Sequence, residues 1–532
     1  MNLTFYGAAR AVTGSCFRLD TGGKSLLIDC GLQQGRDEID NEQFPFNAAE
    51  IDYVLVTHAH IDHSGRLPLL VKKGFRGEII TTRLTAELLY IMLLDSAHIH
   101  EMEAQWENQK GKRAGREPKE PLYTAEDVQN CMKLVRTFDY NQEFEIFEGL
   151  KCRFQDAGHL LGSAFVELWI SEGDVTKKIV FSGDIGNVNQ PIIRDPACIK
   201  EADYVVSEST YGNRYHEGEG EYIEGLAQIL DETFAKGGNV IIPAFAVGRT
   251  QELLYFFRAI KKRGLVKSKP DFEVYVDSPL AKQATEVFSG DLTGYLDDEA
   301  KALVLDGECM LCFPNLKLTQ TTEESRALND DMTPKVIISA SGMCDAGRIR
   351  HHLKHNLWRP ECAIVFVGFQ AEGSLGRMLL EGAKKVKLFG EEIAVKARIV
   401  NFKGMSSHAD LDGLKSWISA YEPKPKHVFV VHGDPAAIDN YVDTLRNMGI
   451  DAHAPEYCEV YDLRTNTVLS PGYTPVRKKP AEPESPVFAE LRRMGEMLLE
   501  VILRNKGGAN KDLKQFAREI KALIDKWDSN EI

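Results

Sequence analysis

"VLVTHAHIDHSG", residues 54–65, decides how this chain is read. An apolar run, Val54 to Val56, ends in a segment that places His58, His60, Asp62 and His63 within six positions, although only 14 of 532 residues are histidine. An apolar run bounded by polar residues is the pattern of a buried strand that delivers side chains at its end. On an extended backbone His58 and His60, at i and i+2, point the same way. Asp62 and His63 follow in the turn and serve a second position nearby. Imidazole and carboxylate together suit Zn²⁺, with Mn²⁺ and Fe²⁺ as further options. Solvated histidines on a loop do not account for four ligand-type residues crowded in this way.

Isolated residues of the same chemistry recur in similar strand-end turns. His159 stands in "DAGHLLGSA", Asp184 in "FSGDIG" and His432 in "VVHGD". Each follows an apolar run and has a glycine beside it, which lets backbone approach a site closely. Asp29 ends the run "LLIDCG" in the same manner.

Around these motifs the chain reads as a multidomain globular protein, too long for one core. Hydrophobic residues make up 43% and charged residues 27%. The N-terminal stretch has no signal-peptide pattern and no run of 18 apolar residues occurs, so a cytoplasmic protein is expected. The ten cysteines are scattered and read as reduced thiols, with Cys309 and Cys312 packing in a core. A net charge of −15 argues against indiscriminate polyanion binding but leaves room for a local basic groove.

Residues 1–210 read as strands and turns, with a long helix over 85–109 capped by Thr85. Residues 211–394 alternate strand and helix, which implies a parallel sheet covered on both faces. From 395 to 473 the β-rich style of the first region returns, as if one domain were interrupted by another. "TPVRKKPAEPESP" is a linker, and two amphipathic helices after it, marked by Met494 and Leu498 and by Leu513, Phe516 and Ile520, form a helical hairpin within 474–532. The hairpin packs on its own chain, with a homodimer or partner contact as the alternative.

HxHxDH with these following elements resembles the metallo-β-lactamase superfamily. The insertion between Asp184 and His432, with "SEST", "SSHAD" and "VVHGD", resembles its β-CASP branch, and within it the prokaryotic RNA-processing nucleases related to the nuclease subunit of the mRNA 3′-end cleavage factor. The resemblance covers residues 1–470. It implies an α/β fold: an αββα sandwich with an inserted β-CASP α/β domain, the helical hairpin lying outside it. It also implies two zinc ions. One is assigned to His58, His60 and His159, the other to Asp62, His63 and His432, with Asp184 bridging and Asp29 orienting a ligand imidazole. Glu208, His408 and His432 match the branch's later motifs. Asp184, Asp62, Glu208 and His408 carry the catalysis.

The implied activity is ribonuclease chemistry on an RNA partner. A water activated by the metals attacks phosphorus in line, and His408, oriented by Glu208, protonates the leaving 3′ oxygen, giving 5′-phosphate and 3′-hydroxyl ends. Ser406, Ser341 and Ser374 are candidate phosphate contacts, the last two in Gly- and Ser-rich turns whose N–H groups suit anions. Arg377, Lys384, Lys385 and Lys387 are candidate cations of a positive cleft. Arg249 reads as a structural ion pair. His351, His352 and His355 read as an exposed helix face. The competing classes are a thioester or lactone hydrolase of the same fold, a β-CASP DNA nuclease, in whose relatives the motif that supplies His432 is generally not histidine, and a non-enzymatic RNA-binding subunit. Endonuclease and 5′-exonuclease action are both compatible with this reading.

Overall fold

The computed structural model describes residues 1–112, 115–216, 222–371, 373–402 and 405–476, and, beyond these, 494, 498, 501–502, 504–505 and 510–527. Within residues 1–476 two large sheets lie face to face. The first runs Thr467–Tyr473, Tyr457–Asp462, Asn2–Phe5, Phe17–Thr21, Lys24–Ile28, Tyr53–Leu55, Glu78–Thr82 and Val135–Phe138. The second runs Ala452–His453, His427–Val430, Tyr204–Ser207, Val175–Phe181, Ala164–Glu172, Leu150–Asp156 and Glu143–Phe147.

Strand alternation explains the layering. Leu55 turns inward to share a core with Leu3, Phe5, Ile28, Phe154, Phe181 and Phe429 from both sheets. Its neighbours Val54 and Val56 turn outward, where Leu84, Leu88 and Leu93 of the helix Arg83–Lys112 cover them. On the other side Val180, Val205, Val428 and Val430 pack against Leu414 and Ile418 of Leu411–Ser419 and Ile438 and Leu445 of Pro435–Asn447. The result is the expected helix–sheet–sheet–helix sandwich. Each such buried side chain contributes about 1.5–3 kcal/mol.

A third sheet, entirely parallel, is ordered Leu316–Leu318, Glu273–Val276, Lys335–Ser339, Val240–Pro243, Ala363–Phe366 and Arg398–Asn401. Ile242 faces Leu253, Leu254 and Phe257 on one side, while Ile241 faces Leu353 and Leu379 on the other. Continuous apolar strands follow from this double cover.

Several expectations are corrected. The stretch "EIAVKARIVNF" does not return to the sandwich at 395: Arg398–Asn401 pairs in parallel with Ala363–Phe366 and closes the third sheet. Its four residues carry no pattern that distinguishes one sheet edge from another. The long helix is not capped by Thr85. The strand Glu78–Thr82 runs straight into it, so Thr82 Oγ1 accepts the Thr85 N–H at 3.3 Å, and the Thr85 hydroxyl donates to the Gly162 carbonyl. Cys309 and Cys312 are joined in a disulfide and are exposed, because Met310 and Leu311 between them take the buried positions. His351 and His355 are exposed, but His352 is fully buried between Asp277 and Asn329. Arg249 does pair with Glu252.

Residues 477–532 form a unit of their own. There the helix Asn510–Trp527 half-buries Leu513, Phe516 and Ile520 between exposed polar positions. Most of the expected first arm and the "KGGAN" joint lie outside the described residues.

Candidate metal centre

The site assembles at strand ends, where backbone pairing stops and side chains are free to converge. Tyr53–Leu55 delivers His58 and His60, and the short helix Ile61–Ser64 supplies Asp62 and His63. His159 follows Leu150–Asp156, Asp184 follows Val175–Phe181, Glu208 follows Tyr204–Ser207, and His432 follows His427–Val430. The approach is close: a Cβ on Gly186 would lie 1.8 Å from the Gly158 carbonyl oxygen, so only glycine lets the two turns carrying Asp184 and His159 meet. Asp29 and His432 hold left-handed backbone, φ +61° and +52°, a conformation that costs a non-glycine residue about 1–3 kcal/mol and that surrounding structure must sustain.

Asp184 is the hub. Its Oδ2 lies 3.4 Å from His58 Nε2 and 3.4 Å from His159 Nε2; its Oδ1 lies 3.1 Å from His63 Nε2 and 3.6 Å from His432 Nε2. Asp62 Oδ2 is 3.5 Å from His432 Nε2. One carboxylate thus faces two groups of donors: His58, His60 and His159 on one oxygen, Asp62, His63 and His432 on the other. Donor atoms within each group lie within 4.8 Å of one another.

The outer ring nitrogens are committed elsewhere. His63 Nδ1 donates to Asp29 Oδ2 at 2.7 Å, and Asp29 is itself fixed by the Thr57 amide and hydroxyl at 2.8 and 2.9 Å. His432 Nδ1 meets Thr210 Oγ1 at 3.0 Å, His58 Nδ1 meets Thr57 Oγ1 at 3.1 Å, and His159 Nδ1 donates to the Ser407 carbonyl at 3.2 Å. Both hydroxyls have another acceptor, Asp29 or the His432 carbonyl, so they accept from the imidazoles. A neutral imidazole that donates through Nδ1 presents a bare lone pair on Nε2.

Those inner nitrogens crowd one another: His63 Nε2 and His432 Nε2 at 3.1 Å, His58 Nε2 and His60 Nδ1 at 3.1 Å, His159 Nε2 and His60 Nδ1 at 3.2 Å. Asp184 Oδ1 is buried with no hydrogen-bond donor. Such a set repels itself unless cations sit between its members, so the donors fit divalent metals of the zinc type. Burial keeps His58 and His159 neutral and pushes His60 down to about 3. Burial opposes charge on His63 and His432 too, but without a cation between them Asp184 outweighs it, with Asp29 and Asp62 assisting, and raises both pKa values, so these two rings favour protons that a bound metal would displace. The Asp184 carboxyl, despite its burial, is held well below the usual range by the surrounding imidazoles.

Beside the cluster, His408 Nδ1 lies 3.1 Å from Glu208 Oε1, and its Nε2 points back to within 4.0 Å of Asp184 Oδ2. Glu208 is wholly buried and pinned by the amides of Ile185 at 2.6 Å and Thr210 at 3.1 Å. Burial lowers the His408 pKa, but Glu208 and then Asp184 raise it further, to about 9, so an N–H aimed at the cluster persists through neutral pH.

Ser406 Oγ accepts the His408 amide at 3.3 Å and so sits beside the pair. Ser374 and Ser341 have other engagements: Ser374 caps the helix Leu375–Leu380 and donates to Ala371, while Ser341 Oγ closes a turn on Ala346. Arg377 pairs with Glu381 and Lys385 with Glu392, so two of the four expected cleft cations already have a carboxylate partner. The helix and hairpin that carry them place these acids one turn or one cross-strand step away. Sequence reading missed Thr57, Thr210 and the Ser407 carbonyl, which orient the imidazoles. Thr57 and Thr210 stand inside the very motifs quoted, but a backbone carbonyl has no sequence signature.

Among the described residues no helix is long and apolar enough to cross a membrane. Residues 9–244 match the metallo-beta-lactamase superfamily, 250–379 the Beta-Casp domain, and 392–455 the Zn-dependent metallo-hydrolase RNA specificity domain. The chain is 37% identical to Ribonuclease TTHA0252 of Thermus thermophilus, over 82% of this chain and 93% of the relative. It is 31% identical to Transcription termination factor FttA of Methanosarcina mazei, over 85% and 70% of the two chains. It is also 31% identical to an RNase J-like protein of Methanocaldococcus jannaschii, over 81% and 92%.

Proposed function

The chain belongs to the metallo-beta-lactamase superfamily, in its β-CASP branch, and is a metal-dependent hydrolase; from that premise we propose that it is a ribonuclease that hydrolyses phosphodiester bonds at the Asp184 cluster to leave 5′-phosphate and 3′-hydroxyl ends. The observation that carries this reading is the His408–Glu208 pair held against the donor cluster. Expulsion of a sugar 3′ oxygen calls for an acid, and thioester hydrolysis does not, because a thiolate leaves unaided. The relative named as a ribonuclease and the matched RNA specificity domain supply the substrate class.

In this reading His58, His60 and His159 would hold one zinc ion and Asp62, His63 and His432 a second, with Asp184 shared between them. When bound, the metals supply a water acidic enough to ionise near neutral pH and neutralise charge on the phosphoryl oxygens. Asp29, Thr57, Thr210 and the Ser407 carbonyl accept from the outer nitrogens of His63, His58, His432 and His159, which leaves the Nε2 atoms of these four rings to the metals. Glu208 holds His408 with Nε2–H toward the scissile phosphate, and this proton goes to the departing 3′ oxygen. Ser406 lies where it contacts a phosphate oxygen.

The test is purified protein with added Zn²⁺ or Mn²⁺ on 5′-labelled and internally labelled RNA, on DNA of the same sequence, and on a thioester. Selective RNA cleavage to ends that a 5′-phosphate-dependent exonuclease accepts, lost on chelation and in Asp184→Ala, is the expected result. Thioester turnover with intact RNA would overturn the reading.

A further inference from the structure

Next to His408, outside the donor cluster, stands a second constellation made of Tyr211, Arg214 and Phe369. The Tyr211 ring lies 6.2 Å from His408 and 6.2 Å from Phe369, edge to face at 77°. The Arg214 guanidinium carbon sits 5.1 Å over the Phe369 ring and 5.9 Å from that of Tyr211. Phe369 is nonetheless 40% exposed. A lone exposed aromatic is ordinary; one roofed by an arginine and linked ring to ring with a catalytic histidine is a surface built to stack something.

The constellation is braced against the site. Tyr211 and Arg214 follow Glu208 on the loop after Tyr204–Ser207. That loop is tied to the His408 segment by Leu411 N–H to the Arg214 carbonyl at 3.0 Å, His216 N–H to Asp410 Oδ2 at 2.9 Å and His216 Nε2–H to the His408 carbonyl at 2.9 Å. Phe369 arrives from the third sheet, in the turn after Ala363–Phe366. The Gln370 amide holds that turn by donating to the carbonyls of Gly342 and Phe369, each at 3.0 Å. Loops from the sandwich and from the inserted sheet therefore meet at one aromatic face.

We propose that Phe369, with Arg214 and Tyr211, is the stacking platform for the unpaired nucleobase immediately 5′ of the cleaved bond. The inference rests on the ribonuclease reading and deepens it. The oxygen that His408 protonates is the 3′ oxygen of the nucleotide on the 5′ side of the cut. That sugar must lie against His408, and the ring that adjoins His408 outside the donor cluster is Tyr211, with Phe369 next to it. Every base has a π-face, so stacking there is tolerant of base identity while requiring the nucleotide to be out of a duplex. Arg214, whose guanidinium also lies 3.8 Å from Asp434 Oδ2, adds a cation beside the base.

The test uses one oligoribonucleotide with a mapped cut and two derivatives, abasic at the position 5′ or 3′ of it. Each is assayed with wild type, Phe369→Ala and Phe369→Trp, alongside glycerophosphocholine, a phosphodiester with neither base nor aromatic ring. In wild type the 5′ abasic site should raise KM about ten-fold and the 3′ site should do little. Phe369→Ala should show that ten-fold loss on intact RNA, no further penalty from the 5′ abasic site, and unchanged hydrolysis of the baseless diester. Phe369→Trp should restore both affinity and the abasic penalty. A 5′ penalty that persists in Phe369→Ala, or a penalty that falls on the 3′ position instead, would overturn the platform. Wild type that hydrolyses the baseless diester but no RNA would remove the ribonuclease reading itself.

Discussion

Two buried aspartates organise this molecule, and they are surrounded by nearly the same residue types. Asp184 in the sandwich and Asp277 in the third sheet both meet histidine and both are shielded from water. Around Asp277 every lone pair has a proton: Oδ1 accepts from Arg348 at 2.7 Å and from Thr319, and Oδ2 accepts from Ser325 at 2.6 Å and His352 at 2.7 Å. Around Asp184 ring nitrogens crowd ring nitrogens with no acceptor between them, and Oδ1 has no hydrogen-bond donor. A buried carboxylate whose neighbours bring protons is a structural knot. One whose neighbours bring lone pairs is complete only with cations. Composition and burial are alike at the two sites; the proton inventory separates them.

The largest effect expected of any change is on the Asp184 side. Asp184→Asn should lower RNA cleavage by at least about a thousand-fold while leaving the melting temperature of the chelated protein nearly unchanged. Metal analysis should show loss of bound ion. A metal-free protein that melts far below wild type would make Asp184 a knot like Asp277.

Asp277→Ala should do the reverse. It strands Arg348 and His352 in the interior and should cost about 3–5 kcal/mol of stability in urea unfolding, with metal content of the folded protein unaltered. Burial raises the Asp277 carboxyl, but His352, Ser325 and Thr319 together hold it well below the usual range. Its folded pKa is depressed, so the stabilisation is present above the unfolded value near 4 and fades as pH falls below it. The gap between wild type and variant should therefore be flat above pH ~4 and shrink under it.

A subtler probe of the same contrast is Thr210→Val, which removes the acceptor of His432 Nδ1–H and frees the ring to turn. Metal affinity by competition with a chelating dye should fall about 10–100-fold, with stability changed little. An unaltered affinity would show that the tautomer needs no such support.

The smallest change is in pH dependence. His408 is raised to about 9, burial opposing and Glu208 with Asp184 prevailing. In the proposed role of acid it must carry its proton, so the rate should fall as pH rises through its pKa. Bound divalent charge pulls that limb lower, but Glu208→Gln should move it lower still, by about one pH unit, in a kcat–pH profile. A limb that stays in place would disconnect Glu208 from the protonation of His408.

How much of this was legible beforehand follows from what each feature depends on. The tight motif 58–63, the apolar runs that end in Asp29, His159, Asp184 and His432, and the strand–helix alternation after 211 are local patterns, and local patterns survive in one dimension. The edge strand Arg398–Asn401 reads in sequence like a strand of the sandwich, because its pairing partner Ala363–Phe366 lies outside any local window. His352 looked like one residue of an exposed helical face because nothing near it in sequence announces Asp277, which buries it. The serines at 341 and 374 looked like phosphate contacts because a cap and an anion site draw on the same residue types.

Short segments suffice to mark which residues can bind metal, that they sit at strand ends, and that a second α/β unit interrupts the first, because backbone periodicity and ligand chemistry are local properties. Packing of the sheets settles which of the buried His and Asp residues crowd nitrogen against nitrogen, which meet proton to lone pair, and that Tyr211 and Phe369 share a face beside His408. Those outcomes depend on distances between residues far apart in the chain, and such distances are set by how sheets pack rather than by any stretch of sequence.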